Sequence, residues 1–170
     1  MAGSVRQNRC RITVAPYNRR AMTKYYFEDF TAGWTFENGP RTLTAEEIVA
    51  FAREWDPQRF HVDEDQARAT PFGGLIASGW HTGVVAMRLM CDGYLLETSC
   101  IGSPGIDEMR FLRPVRPGDA LRFRSTVLEA AASKTKPNRG TVTFRWEVLN
   151  QAGEVVLSMT GKQLFLRRPA

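Results

Sequence analysis

Asp56 and His61 stand five residues apart in the run Trp55-Asp-Pro-Gln-Arg-Phe-His61, and the chain holds only one other histidine, His81. An imidazole titrates near neutrality and a carboxylate is tuned by partial burial. Such a pair can hold one water and move its protons in either direction. Pro57 disfavours helical dihedrals at the residue before it, so a preceding helix must stop near Asp56 and the pair falls on a loop. From a loop, two residues at this spacing can converge on one water; a single helix would not readily allow it. Taken alone, the spacing also fits an aspartate capping the next turn beside an ordinary interface histidine.

The next informative stretch is Phe72-Gly-Gly-Leu-Ile-Ala-Ser-Gly79-Trp80-His81-Thr82. It places Gly79 inside the start of an apolar helical run. Free backbone N–H groups at a helix N-terminus are donors suited to a developing oxyanion. A glycine there lets a ligand carbonyl approach the backbone, and it equally lets a helix pack closely on a sheet. Phe72, Ser78 and Trp80 flank this point as candidate pocket residues. Lys134, Lys136 and Arg139 form a basic cluster between two strand-like runs, suited to gripping phosphates or simply to a solvated hairpin tip. His81 and Cys91 lie too far apart on one helix to share a metal, so no metal site is expected. Cys91 and Cys100 lack a neighbouring base in sequence to make a nucleophilic thiolate.

These residues need a scaffold. Thr44 and Glu47 form a capping box ahead of Ile48, Val49, Phe51, Ala52 and Trp55, which recur at helical spacing. A short acidic helix or turn is expected over Asp63–Ala69. The longest helix is expected from Leu75 to about Leu96, apolar on most faces and therefore buried. Tyr25–Phe27 and Trp34–Phe36 read as short strands around a turn at Ala32-Gly33. Met109–Leu112, Ala120–Leu128, Thr141–Leu149 and Val155–Leu166 read as strands, joined by turns at Pro114–Asp119 and Asn150–Gly153. One buried helix with a run of antiparallel strands is an α+β architecture, a sheet wrapped around a central helix. The strands form a meander whose exposed edges call for pairing with a second subunit.

The chain has 170 residues, 43% of them hydrophobic and 24% charged, which is one domain with a sizeable core. No apolar run approaches the ~18 residues of a bilayer-spanning helix, and no membrane partner is expected. The formal charge of +5 is carried by five arginines in residues 1–21, a stretch without acids. The remainder balances, so a nucleic-acid surface is not expected. Residues 1–22 read as a disordered or mis-started basic tail, with a transit peptide as the other reading, and 23–170 as a single domain. Three scattered cysteines, Cys10, Cys91 and Cys100, suit a reducing compartment and hence the cytoplasm.

Asp56, Gln58, Phe60 and His61, followed by the Ser78-Gly79 pair and by Phe111-Leu-Arg-Pro-Val-Arg-Pro-Gly-Asp119, resemble the MaoC-like dehydratases. That family includes the (R)-specific enoyl-CoA hydratases and has the hot-dog fold. Its motif is approximately G-D-x-N-P-[LIV]-H, and the resemblance runs from about Tyr25 to Arg167. Trp55 replaces the motif glycine and Arg59 its proline, changes that leave the Asp–His spacing intact but can reshape the acyl pocket. The resemblance implies reversible syn hydration of a trans-2-enoyl thioester to a 3-hydroxyacyl thioester. Asp56 and His61 would share the water, and the Gly79 N–H would hold the thioester oxygen. It implies no cofactor beyond the coenzyme A of an acyl-CoA substrate, and a homodimer or dimer of dimers. A hot-dog thioesterase and a non-catalytic acyl-binding subunit are the alternatives.

Overall fold

A computed structural model describes residues 23–169; the basic tail, 1–22, lies outside the described residues. The chain runs through β1 (Thr35–Thr42), α1 (Ala45–Trp55), α2 (Arg59–Val62), α3 (Glu64–Arg68), α4 (Gly79–Gly93), β2 (Cys100–Phe111), β3 (Ala120–Ala132), β4 (Arg139–Leu149) and β5 (Val155–Leu166). The five strands form one antiparallel sheet in the order β1-β3-β4-β5-β2. It packs against α4, the sheet-on-helix arrangement expected of the hot-dog fold.

Alternation in the central strands explains why the sheet has a single buried face. In β4, Val142, Phe144, Trp146 and Val148 are buried, while Arg145 between them is exposed. Leu121, Phe123 and Val127 of β3, with Leu157, Met159 and Phe165 of β5, extend the same face. Val85, Ala86, Leu89 and Met90 of α4 lie in the same core. Phe30 fills one end, its ring centroid 4.4 Å from Phe165 and 5.2 Å from Trp34. A buried aromatic of this size contributes roughly 2–3 kcal/mol by burial alone.

Several expectations hold. Thr44 and Glu47 bond reciprocally as the capping box of α1, which ends at Trp55 just before Pro57. The acidic segment forms α3, and β5 spans the expected residues.

Others need correction. The long helix begins at Gly79, not Leu75, and ends at Gly93. Residues 75–78 are extended because Ile76 N–H donates to the Phe60 carbonyl (3.2 Å) and Ala77 N–H to the Val115 carbonyl (2.8 Å). A short buried extended run and a buried helix have the same apolar pattern. Tyr25 makes only an isolated bridge to Thr98, and Phe27–Asp29 is a 3-10 turn. The short strand expected at Trp34–Phe36 is β1, which begins at Thr35 and continues to Thr42 with a register shift between Asn38 and Arg41. Gly39, at φ +121°, is obligatory: a Cβ would lie 2.8 Å from the Leu121 carbonyl oxygen. The meander is confined to β3-β4-β5, since β2 pairs with β5 at the far edge instead of with β3.

Candidate active site

Asp56 is the C-cap of α1, and His61 lies in the single-turn α2, so two helices broken at Pro57 replace the expected open loop. The break turns the two side chains toward one another: His61 Nε2 is 3.5 Å from Asp56 Oδ2. His61 is 5% exposed, enclosed between Phe60, whose ring meets it edge-on at 4.4 Å, and the extended strip before α4.

Each member is held by a specific partner. His61 Nδ1 lies 2.8 Å from the Ile76 carbonyl oxygen. A carbonyl can only accept, so Nδ1 carries a proton and, in the neutral ring, Nε2 presents its lone pair to Asp56. Asp56 Oδ2 accepts from the Ser78 hydroxyl at 2.6 Å and Oδ1 from the Gln58 amide at 2.8 Å. Partial burial pushes its carboxyl up, but the Ser78 and Gln58 hydrogen bonds and nearby His61 outweigh that and hold it below its ordinary range. Asp56 is therefore a carboxylate at neutral pH. Two acceptors then face one another, an arrangement satisfied by one water donating a proton to each.

Ser78 also caps α4: the fully buried hydroxyl accepts from the Trp80 N–H at 3.2 Å while donating its proton to Asp56. This double use positions the carboxylate relative to the helix and removes Ser78 from direct substrate contact. The next residue, Gly79, has a backbone N–H with no acceptor among the described residues, at the positive end of a fifteen-residue helix. Its missing side chain serves packing. A Cβ at Gly79 would collide with the Phe111 ring, so the aromatic ring of β2 rests directly on the helix start.

His61, Gly79 and Phe72 line one cleft of about 370 Å³ with Phe60, Ile76, Ala77, Thr82, Leu112, Arg113, Val115 and Val156. Its wall is mostly apolar, suited to an acyl chain. Trp80 is absent from the lining: it is 63% exposed and meets Phe111 edge-on from outside. Lys134, Lys136 and Arg139 belong to the β3–β4 hairpin end, where Arg139 is opposite Leu166. The cleft residue Val156 is at the other end of β5, roughly 33 Å away at the rise of a strand. Within one protomer the basic cluster and the Asp–His pair are thus at opposite ends of the sheet. His81 packs against α1, stacked 4.4 Å from Phe51, and burial lowers its pKa, leaving it neutral.

The Ile76 carbonyl, the Ser78–Asp56 bond and the Phe111 ring over Gly79 escaped sequence reasoning. Of these, Ser78 alone carried a signal, as a preferred N-cap residue ahead of a helix.

Known proteins with similar sequences carry the same chain segment. A model described as MaoC like domain matches residues 30–148. The crystal structure of a MaoC-like dehydratase from Rhodospirillum rubrum is 43% identical, covering 86% of this chain and 100% of that one with a TM-score of 0.82. YdeM of Bacillus subtilis is 32% identical over 125 residues, 73% of this chain and 86% of that protein. The 3-hydroxyacyl-thioester dehydratase Z of Mycobacterium tuberculosis is 35% identical over 113 residues, 65% of this chain and 75% of that protein. The matched stretch runs from Phe30 in the core to Val148 in β4 and takes in every cleft residue except Val156, and on that evidence the chain belongs to the MaoC-like domain family.

Proposed function

We propose that this protein is a hydro-lyase that adds water reversibly across the double bond of a trans-2-enoyl thioester, giving a 3-hydroxyacyl thioester. The observation that carries the reading is the Asp56–His61 pair, two proton acceptors 3.5 Å apart, with His61 and the Gly79 N–H, unbonded among the described residues, lining one apolar cleft. The pair is suited to a substrate that must receive hydroxide at one carbon and a proton at the next.

In the hydration direction, a water donates one hydrogen bond to His61 Nε2 and one to Asp56 Oδ2. As its oxygen bonds to C3, His61 takes a proton and becomes an imidazolium beside the carboxylate. Electron density moves to the thioester oxygen, which accepts from the Gly79 N–H with the α4 dipole behind it. The enolate then collapses and C2 receives the proton from the pair, so one water is added in all. Delivery from the same face as the hydroxide gives syn addition. Coenzyme A is the proposed thioester carrier, and this chemistry uses no further cofactor.

A second copy completes the proposed assembly. β2 is a sheet edge, and Trp80, Val84 and Met87 expose an apolar stripe on α4 at 63%, 55% and 50%, next to Phe111 of that edge.

The test is loss of the conjugated absorbance of crotonyl-CoA and a longer enoyl-CoA, with free thiol followed in parallel. Wild type is expected to consume the absorbance without releasing thiol. Asp56→Asn and His61→Ala should each lower kcat by about 10²–10⁴-fold. Thiol release would make the protein a thioesterase; acyl-CoA binding without turnover would make it a binding subunit.

A further inference from the structure

Phe72 lines the cleft and is also 38% exposed, which places its ring at the mouth. The ring is 5.2 Å from that of Phe60, which in turn meets His61 edge-on at 4.4 Å, so a row of rings leads from the reacting pair out to solvent. The turn that carries Phe72 is held from both sides. On one side the Thr70 hydroxyl donates to the Ala67 carbonyl (2.6 Å) and accepts from the Phe72 N–H (3.3 Å), while the Thr70 carbonyl accepts from the Gly73 N–H (3.0 Å). On the other, Arg116 Nη2 donates to the Phe72 carbonyl at 2.6 Å, its single side-chain hydrogen bond among the described residues. Arg116 is itself fixed at its backbone, where its N–H donates to the Asp119 carboxylate at 2.7 Å. Its neighbours Pro114 and Val115 line the cleft. The guanidinium is therefore a charge-assisted strap between two segments of the cleft wall, attached at the residue whose ring stands in the mouth.

We infer that Phe72 sets the length of acyl chain the cleft accepts, with Arg116 as the positioning residue that holds its ring in the mouth. This rests on the thioester reading above. His61 and Gly79 fix where the reacting carbons and the thioester oxygen sit, so the chain beyond C3 occupies the rest of the apolar lining. At about 370 Å³ the cleft is near the lower end of ligand-sized pockets, roughly 300–1,000 Å³. A short chain fits within it, and a longer one meets the Phe72 ring. The ring does not yield with its backbone, because Thr70 holds the N–H and Arg116 the carbonyl. Without the strap the turn can swing, since Gly73 at φ +67° and Gly74 at φ +158° follow Phe72 directly and give it a hinge. Arg116 lies outside the cleft lining and acts through Phe72 alone.

The experiment is calorimetric binding of butyryl-CoA and decanoyl-CoA, neither of which has a double bond to hydrate, to the full-length wild type and its variants. These are Phe72→Leu, Phe72→Ala, Arg116→Gln and Arg116→Lys, with Tm followed to show that each is folded. Wild type is expected to favour butyryl-CoA. Phe72→Ala should move the affinity ratio toward decanoyl-CoA by about 10- to 100-fold, the range over which an apolar pocket discriminates by size, and Phe72→Leu by less. Arg116→Gln should move the ratio the same way by a smaller factor, and Arg116→Lys, which keeps a charged donor, should restore it in part. A wild-type preference for decanoyl-CoA, or a ratio that Phe72→Ala leaves unchanged, overturns the inference. So does an equal weakening of both ligands, which would make the ring a contact to the part they share. An unmoved ratio in Arg116→Gln overturns the role of the strap. Turnover of crotonyl-CoA and trans-2-decenoyl-CoA is measured separately. A shifted binding ratio without turnover sinks the hydratase reading alone; turnover with an unmoved ratio sinks only the Phe72 assignment.

Discussion

Asp56 is held as a carboxylate by its neighbours, and Ser78 is the neighbour that can be removed most cleanly. Its hydroxyl donates at 2.6 Å to the same oxygen that faces His61. Ser78→Ala takes away a hydrogen bond to the charged form, so the Asp56 pKa must rise. The acid limb of the pH–kcat/KM profile is expected to move to higher pH, with kcat down by about tenfold. An unmoved limb with a simple loss of amplitude would make Ser78 only a helix cap. Stability follows the same linkage. Because the folded pKa lies below the ordinary one, the Asp56 contacts stabilise the protein fully above about pH 4, and this contribution is lost as the pH falls through the lowered value. Asp56→Asn should flatten that part of the acid-unfolding curve.

α4 is the element that joins the fold to the chemistry. Its first turn carries the Ser78 cap, the Gly79 N–H and the Phe111 contact at once, so a change there acts on both packing and activity. Gly79→Ala drives a methyl into the Phe111 ring, which must swing away because the opposing side is helix backbone. Overpacking of this kind costs about 1–3 kcal/mol. We expect a lowered Tm together with lost turnover, and Gly79→Ala combined with Phe111→Ala should recover much of the Tm. Failure of the double variant to recover stability would show that the glycine is needed for something other than the ring.

At the scale of the whole molecule, the α4 stripe and the β2 edge form an apolar face that no other described residue covers. Sedimentation should find a species of at least twice the 19.2 kDa chain mass, and Val84→Glu should shift it toward the monomer. A wild type that sediments as a monomer at micromolar concentration would remove the dimer from the proposal. The basic hairpin end bears on the same question. Lys134, Lys136 and Arg139 are remote from the cleft of their own chain, and antiparallel pairing of two β2 edges would reverse one sheet against the other.

What the sequence determined by itself was local or patterned. The capping box fixed the start of α1 and Pro57 its end, because both act through backbone groups within a few residues. Alternation marked β4, and β5 combined alternation with apolar runs at its two ends; a period of two has a single structural meaning when one face is buried. The Asp56–His61 spacing, with Ser78-Gly79 downstream, singled out the residues that meet. The tertiary structure decided everything that depends on contacts between distant segments. It extended residues 75–78 by tying them to Phe60 and Val115, sent β2 to the far edge, and turned Trp80 outward. It also gave His61 its tautomer through the Ile76 carbonyl and Asp56 its lowered pKa through Ser78. Apolar patterning says that a segment is buried but not what it is buried against. A proton's position, in turn, is set by the atom that faces it across the fold.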